Sequence, residues 1–451
     1  MTLAAIVSGC GVSPTAPPIP PTPAVVPDAG TPLAETIVAP GLPDAAATEI
    51  AIPVEIDPDY GEGIQSLRLL RASVVRQFPD SYSAPLGTVA QDMRVAWTRA
   101  ANGRGCQRPW VEIEPRGWVC STYLEPNTRP PRLVEMPRIP EGEVVPGVYG
   151  KVLGARTRMF KTLSDARRRI GGRPLADATL VKFTREISVG RQRFWRTTSG
   201  ELVDARRVMP RDPSRLTGLE LGTGRGLLLP FGWVRSDVRA TVWEEPERWI
   251  ELGELPPRTI VPAARYSKDG ASLRIGPGLW IDAKSVRVAR LVPPPPGLRP
   301  EEKWIDIDLA EQVLVAYEGT RPVFATLVST GQRKRTPTGT WRIWIKFAET
   351  EMTGMVKGRS YQVADVPWTM FFHGGFALHA AYWHDKFGQR ASSGCVNLAP
   401  ADARLLYRWT DPPVPDGWTM AYPSAETPGT LIRVRRGMRG VFPDAGKLAS
   451  R

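Results

Sequence analysis

The chain holds four cysteines and three histidines in 451 residues, and all three histidines crowd toward one cysteine. His373, His379 and His384 fall within the 22 positions before Cys395. Thiolate is the nucleophilic form of cysteine, and a neighbouring imidazole favours it. Gly394, next to the sulfur, has no Cβ to hold a substrate backbone away. The N–H groups of Ser393, Gly394 and Cys395 are placed to face an oxyanion developing on an attacked carbonyl. The chemistry in view is nucleophilic attack by sulfur. With so few Cys and His, a large metal cluster is not expected.

The elements around this cluster read as strands. Trp304 to Leu309 alternates apolar and polar residues, and Val313–Tyr317 and Val323–Val328 follow after short turns. Period two with turns between is a hairpin series. Then come Ser329-Thr330-Gly331, a basic loop, and Thr336-Pro337-Thr338-Gly339-Thr340-Trp341. A helix is expected from near Pro400 toward Trp409, with the proline at an early helical position. Met352 to Lys357 reads either as a lid over a cleft or as an ordinary surface loop.

From Lys303 to Arg435 the chain resembles the L,D-transpeptidase, or YkuD-like, family. The carriers are Ser329-Thr330-Gly331, Thr336-Pro337-Thr338-Gly339, a His, a gap, and Ser392-Ser393-Gly394-Cys395-Val396-Asn397. His379 stands 16 positions before Cys395, which fits the family's gap. His384 and His373 fit it less well; they read as a surface His and a turn His packed on the sheet, the alternative being that one of them compensates for an imidazole this chain lacks. There is one departure: the family has Ser-His-Gly-Cys, and Ser393 stands where that His would be.

The resemblance implies a mixed β-sandwich with short helices, no cofactor and no metal. It implies a cysteine-dependent acyltransferase acting on peptidoglycan stem peptides. Cys395 would attack the carbonyl of the diamino acid that precedes D-Ala in a tetrapeptide stem. His379 would be general base and then acid, its ring oriented by the Ala380 backbone carbonyl. The N–H groups of Ser393 and Gly394 would hold the oxyanion, and Ser392, Asn397, His373, Trp383 and Tyr361 would line the substrate. An amine acceptor would yield a 3-3 cross-link or a wall–protein bond. Water as acceptor would make an L,D-carboxypeptidase. Loss of the chemistry through Ser393 would leave a non-catalytic peptidoglycan-binding lipoprotein. The catalytic reading requires Cys395 to meet His379 across an open cleft, and a sulfur sealed in hydrocarbon would overturn it.

Upstream, Tyr60 to about Leu298 reads as β-rich, with short runs punctuated by Gly, Pro and Asp. A faint repeat closes at Val119, Val203 and Ile281, 84 and 78 residues apart. Each copy resembles a bacterial SH3-like barrel, at residues 60–130, 143–215 and 216–298. The fold class expected is therefore mostly β and multidomain: tandem SH3-like small barrels, then the YkuD-like sandwich at 303–435, then a basic flexible tail at 436–451. Trp97, Trp118 and Trp195 read mainly as core, the alternative being platforms for wall ligands. Cys106 and Cys120, 14 residues apart, either close a disulfide or are two buried thiols.

At the head, Leu3-Ala4-Ala5-Ile6-Val7 leads into Ser8-Gly9-Cys10, which resembles a bacterial lipobox with Cys10 as the lipidated residue. Residues 1–10 are thus a partial signal. Residues 11–59, with ten prolines between Pro14 and Pro43, are a disordered tether. The expected location is the cell envelope, periplasmic, with membrane contact through the lipid only. No run approaches the roughly 20 apolar residues of a spanning helix. Eight acids and no base precede Arg68, so the formal +13 is −8 for the head and +21 for the rest. Such a body is drawn to polyanions. No nucleic-acid motif accompanies the charge, so nucleic acid is not an expected partner, and the sequence leaves oligomeric state open.

Overall fold

Two facing sheets form the C-terminal third of the chain. In the computed structural model the described residues are 11–13, 55–56, 60–154, 156–175, 179–222, 228–356 and 359–437. Cys10, most of the Pro-rich head and residues 438–451 lie outside them. The first sheet runs Leu219–Glu220, Arg321–Leu327, Val313–Glu318, Lys303–Asp308, Leu431–Arg435, Gly339–Arg342. Only Lys303–Asp308 and Leu431–Arg435 pair in parallel. The second sheet is built on a long hairpin, Ile345–Val356 with Arg359–His373. Phe376–Ala380 adds antiparallel to it, and Val396–Leu398 adds parallel to that.

Successive strand residues point to opposite faces. Ile305, Ile307, Leu314 and Phe324 therefore meet Trp368, Met370, Phe372, Leu378 and Val396 between the sheets. The helix Pro400–Trp409, with Pro400 in its first turn, adds Ala403 and Leu406 to the same core. The other face of Lys303–Asp308 is covered too, so its charges are paired. Asp306 takes bonds from Arg433 and Arg435 at 2.7 and 2.8 Å. A buried carboxylate without such partners would be costly.

Each upstream stretch has its own core. Leu67, Val75, Val95, Val111 and Val119 form the first, Val152, Met159, Phe183 and Val203 the second, and Val242, Leu273, Ile281 and Val288 the third. Open sheets stand where small barrels were expected, and the units also give strands to the C-terminal part of the chain. Pro85–Val89 pairs with Trp418–Ala421, which pairs in turn with the hairpin strand Ile345–Val356. Trp418 is fully buried in the first unit's core. Leu180 pairs with Val363, and Leu219–Glu220 extends the first sheet. An unpaired strand edge is a template for another strand, and pairing satisfies it.

Trp118 is buried; Trp97 and Trp195 are half-buried against Tyr60 and Phe183, at centroid distances of 5.3 and 5.7 Å. None is an open platform. Cys106 and Cys120 are disulfide-bonded. Within the expected tether, residues 11–13 pair with the hairpin strand at 351–353, and residues 55–56 pair with 100–101. These two stretches are strands, not disordered. Met352 also departs from the surface-loop reading: it sits inside a hairpin strand at 2% exposure.

Candidate active site

Strand register places Cys395 beside His379. Leu378, His379 and Ala380 lie opposite Val396, Asn397 and Leu398 in a parallel pair. Cys395 immediately precedes that strand, so it and Asn397 share a face, and His379 lies on the same face of the neighbour. The Ser329-Thr330-Gly331 segment runs along the other edge. Ser329 exchanges both backbone bonds with Asn397, and the Ala391 and Ser392 N–H groups donate to the Thr330 carbonyl.

His379 is 2% exposed, and its Nδ1 lies 3.0 Å from the Ala380 carbonyl oxygen. A carbonyl only accepts, so Nδ1 carries the proton and Nε2 keeps its lone pair. Burial pushes the ring down to about 4, with the Ala380 bond opposing. At neutral pH His379 is therefore an uncharged base rather than an imidazolium. The Cys395 sulfur lies 3.7 Å from the Gly375 carbonyl oxygen.

The turn holding the sulfur is braced twice. Ser392 Oγ donates to the Cys395 carbonyl at 2.5 Å and accepts the Gly394 N–H at 3.1 Å. Ser392 was expected to touch substrate, but its hydroxyl is spent inside the turn. Gly394 was expected to supply an oxyanion N–H, but that proton is held by Ser392. The second brace is Thr336, which sequence reasoning quoted but gave no role. Its hydroxyl accepts the Gly331 N–H at 2.8 Å and donates to the Gly394 carbonyl at 2.6 Å. The peptide unit is planar and trans. Fixing the Gly394 carbonyl thus fixes the Cys395 N–H pointing the opposite way. Gly394 itself is required by Phe376, whose ring would lie 2.7 Å from an added Cβ.

The remaining expected residues are spread around this centre. His373 is exposed and stacks on Trp341 at 4.4 Å, with Phe376 at 5.9 Å. Trp383 is half-buried, 5.7 Å from the His379 ring and edge-on to Tyr382 at 4.9 Å. Tyr361 is in the hairpin, and its side chain lies outside the described residues. His384 is not the surface histidine expected. Its Nε2 lies 2.8 Å from the Asn397 amide, and its Nδ1 accepts the Lys386 N–H at 3.1 Å. Burial, then the neighbouring His379 and Lys386, lower it to about 4.

The open cleft expected in front of the sulfur is absent: the sulfur is sealed among apolar side chains, the arrangement named above as contrary to the catalytic reading, so that reading requires this cover to open. Cys395 is 1% exposed. Val145, Tyr149 and Leu180 of the second upstream unit, with Met352, Val363 and Phe371 of the hairpin, share one apolar cluster with it. Tyr149 stacks on Tyr382 at 3.6 Å, and its hydroxyl donates to the Asp365 carbonyl at 3.1 Å. Lys182 forms an ion pair with Glu349 across the same contact. Burial raises Glu349 to about 7, against the pull of Lys182. Sequence reasoning missed Tyr149, Lys182 and Glu349, because nothing local marks a pair separated by 167 residues.

Residues 302–434 match the family model described as the L,D-transpeptidase catalytic domain, YkuD. Among curated proteins the chain is similar to the putative L,D-transpeptidase YciB of Bacillus subtilis, 28% identical over 127 residues, 25% of this chain and 63% of that protein. Among solved structures it is similar to an L,D-transpeptidase from Stackebrandtia nassauensis, at 26% identity, covering 32% of this chain and 60% of that one with a TM-score of 0.22. The catalytic domain of the E. faecium L,D-transpeptidase is another, at 22% identity, covering 30% and 98%, with a TM-score of 0.24. The chain spans less than two thirds of the B. subtilis and S. nassauensis proteins it matches.

Proposed function

We propose that this chain is a peptidoglycan L,D-transpeptidase that uses Cys395 as its nucleophile. The observation that carries the reading is the register of His379 beside the Cys395 strand, with the imidazole neutral and Nε2 unprotonated. As sulfur attacks the diamino-acid carbonyl, its proton passes to His379 Nε2. The oxyanion rests on the N–H groups of Ser393 and Cys395, since Gly394 is engaged. The carbonyl–nitrogen bond to D-Ala then breaks, and His379 returns the proton to the leaving amine. A thioester remains. An amine of a second stem attacks it, releasing the thiol and forming the new amide. The hairpin and the second upstream unit must lift for a stem peptide to enter.

The SH3-like reading of the upstream units fits spacers or wall-binding modules beside this domain, and the Cys10 lipid anchor fits an envelope location. Among the described residues no helix is long and apolar enough to cross a membrane. A second reading, wall binding without catalysis, is favoured by the covered sulfur and by Ser393 in place of the family's His. Product analysis separates them. Wild type and Cys395→Ala are incubated with a disaccharide tetrapeptide. Cross-linked dimer and free D-Ala from wild type alone support the transpeptidase; tripeptide and D-Ala alone mean hydrolysis. Unchanged tetrapeptide, with retention on sacculi, sinks the catalytic reading.

Thr336 gives a sharper expectation. Thr336→Val keeps the shape but releases the Gly394 carbonyl, and should slow thioester formation about 10- to 100-fold. Thr336→Ser should recover most of the rate. Intact-mass kinetics of the acyl adduct check both, and equal rates in Val and Ser variants would dismiss the brace.

A further inference from the structure

His384 and Asn397 form a pair that the reaction as described does not use. Lys386 N–H donates to His384 Nδ1, so the proton of the neutral ring is on Nε2. That Nε2–H faces the Asn397 amide at 2.8 Å, through the end assigned as Nδ2. Two donors do not bond. Oxygen and nitrogen of an amide are told apart only by their hydrogen bonds. The end toward His384 must therefore be the carbonyl oxygen. The opposite end, assigned as Oδ1, is buried and accepts no hydrogen bond. After the exchange that end is the NH2.

Asn397 is 2% exposed, two positions from Cys395 on the same face, and in register with His379. Its amide thus presents a buried NH2 on the face shared with Cys395 and His379. A buried donor costs free energy unless an acceptor meets it, and a bound peptide carries carbonyl and carboxylate oxygens that can. We propose that His384 is a positioning residue. It locks the Asn397 amide so that the NH2 donates to a carbonyl or carboxylate oxygen of the peptide donor, next to the scissile bond. The second imidazole then serves binding rather than proton transfer.

The inference rests on the transpeptidase reading, and the test tells the two apart. Acylation of Cys395 by the disaccharide tetrapeptide is followed by intact mass, for wild type, His384→Phe, His384→Gln and Asn397→Asp. His384→Phe removes the donor to the amide oxygen and should raise KM about tenfold or more, with a smaller change in kcat. His384→Gln restores a donor and should recover KM. Asn397→Asp keeps the bond to His384 but has no NH2, and should reproduce the KM rise. His384→Phe combined with Asn397→Ala should be no worse than Asn397→Ala alone. Wild-type KM in His384→Phe, or in Asn397→Asp should His384→Phe not fold, overturns the proposal while leaving the transpeptidase intact. Failure of wild type to acylate overturns both.

Discussion

Replacing His379 by alanine should slow acylation of Cys395 about 10²- to 10⁴-fold, the range for removing a positioned general base. The size follows from the site. The imidazole is buried, held by Ala380, and neutral at physiological pH. Sulfur must lose its proton as it attacks, and among the residues described around it His379 is the group placed to take it. The pH profile carries the sign. Burial lowers His379 to about 4. The base is available above that value and lost below it, so kcat/KM should fall as pH drops through about 4. The variant should lack this acid limb. Single-turnover acylation between pH 3 and pH 8 measures both, and a wild-type limb near the free-histidine value would contradict the buried, neutral ring.

Tyr149→Ala should expose the sulfur. Tyr149 stacks on Tyr382 and closes the apolar cluster that contains Cys395. Losing a buried aromatic ring costs about 3–5 kcal/mol. Part of that loss falls on the contact between the second upstream unit and the hairpin. Alkylation of Cys395 by iodoacetamide, located by peptide mapping, should quicken about 10- to 100-fold as the open population grows. An unchanged rate in a folded variant would show that this contact does not gate the thiol. The ion pair beneath it adds a pH dependence. Glu349 is held at about 7 when covered, whereas an exposed glutamate titrates near ~4.3. The closed form therefore binds the proton more tightly. Closure is favoured as pH falls below 7 and weakens as pH rises through it. The wild-type rate relative to Glu349→Gln should rise over that interval, a ratio that cancels the thiol's own titration.

Much of the C-terminal third was legible locally. Period-two alternation announced the strands at 303–308, 313–318 and 321–327, and Pro400 announced the helix. Residue types drew attention to Cys395 and the three histidines, and the resemblance to the L,D-transpeptidase family, whose gap is matched by 16 positions, singled out His379. These are short-range signals, and the backbone expresses them wherever it folds. Tertiary structure decided the rest. Whether Cys395 meets open solvent depends on Tyr149 and Leu180, more than 200 residues away. Thr336 reaches Gly394 and His384 reaches Asn397 only because strand register brings them together. The upstream units read as separate barrels because each has its own apolar alternation. The first two also pair strands with Trp418–Ala421 and with the hairpin, across long stretches of sequence. Alternation reports which face of a strand is buried; it carries no label for the strand that will lie beside it.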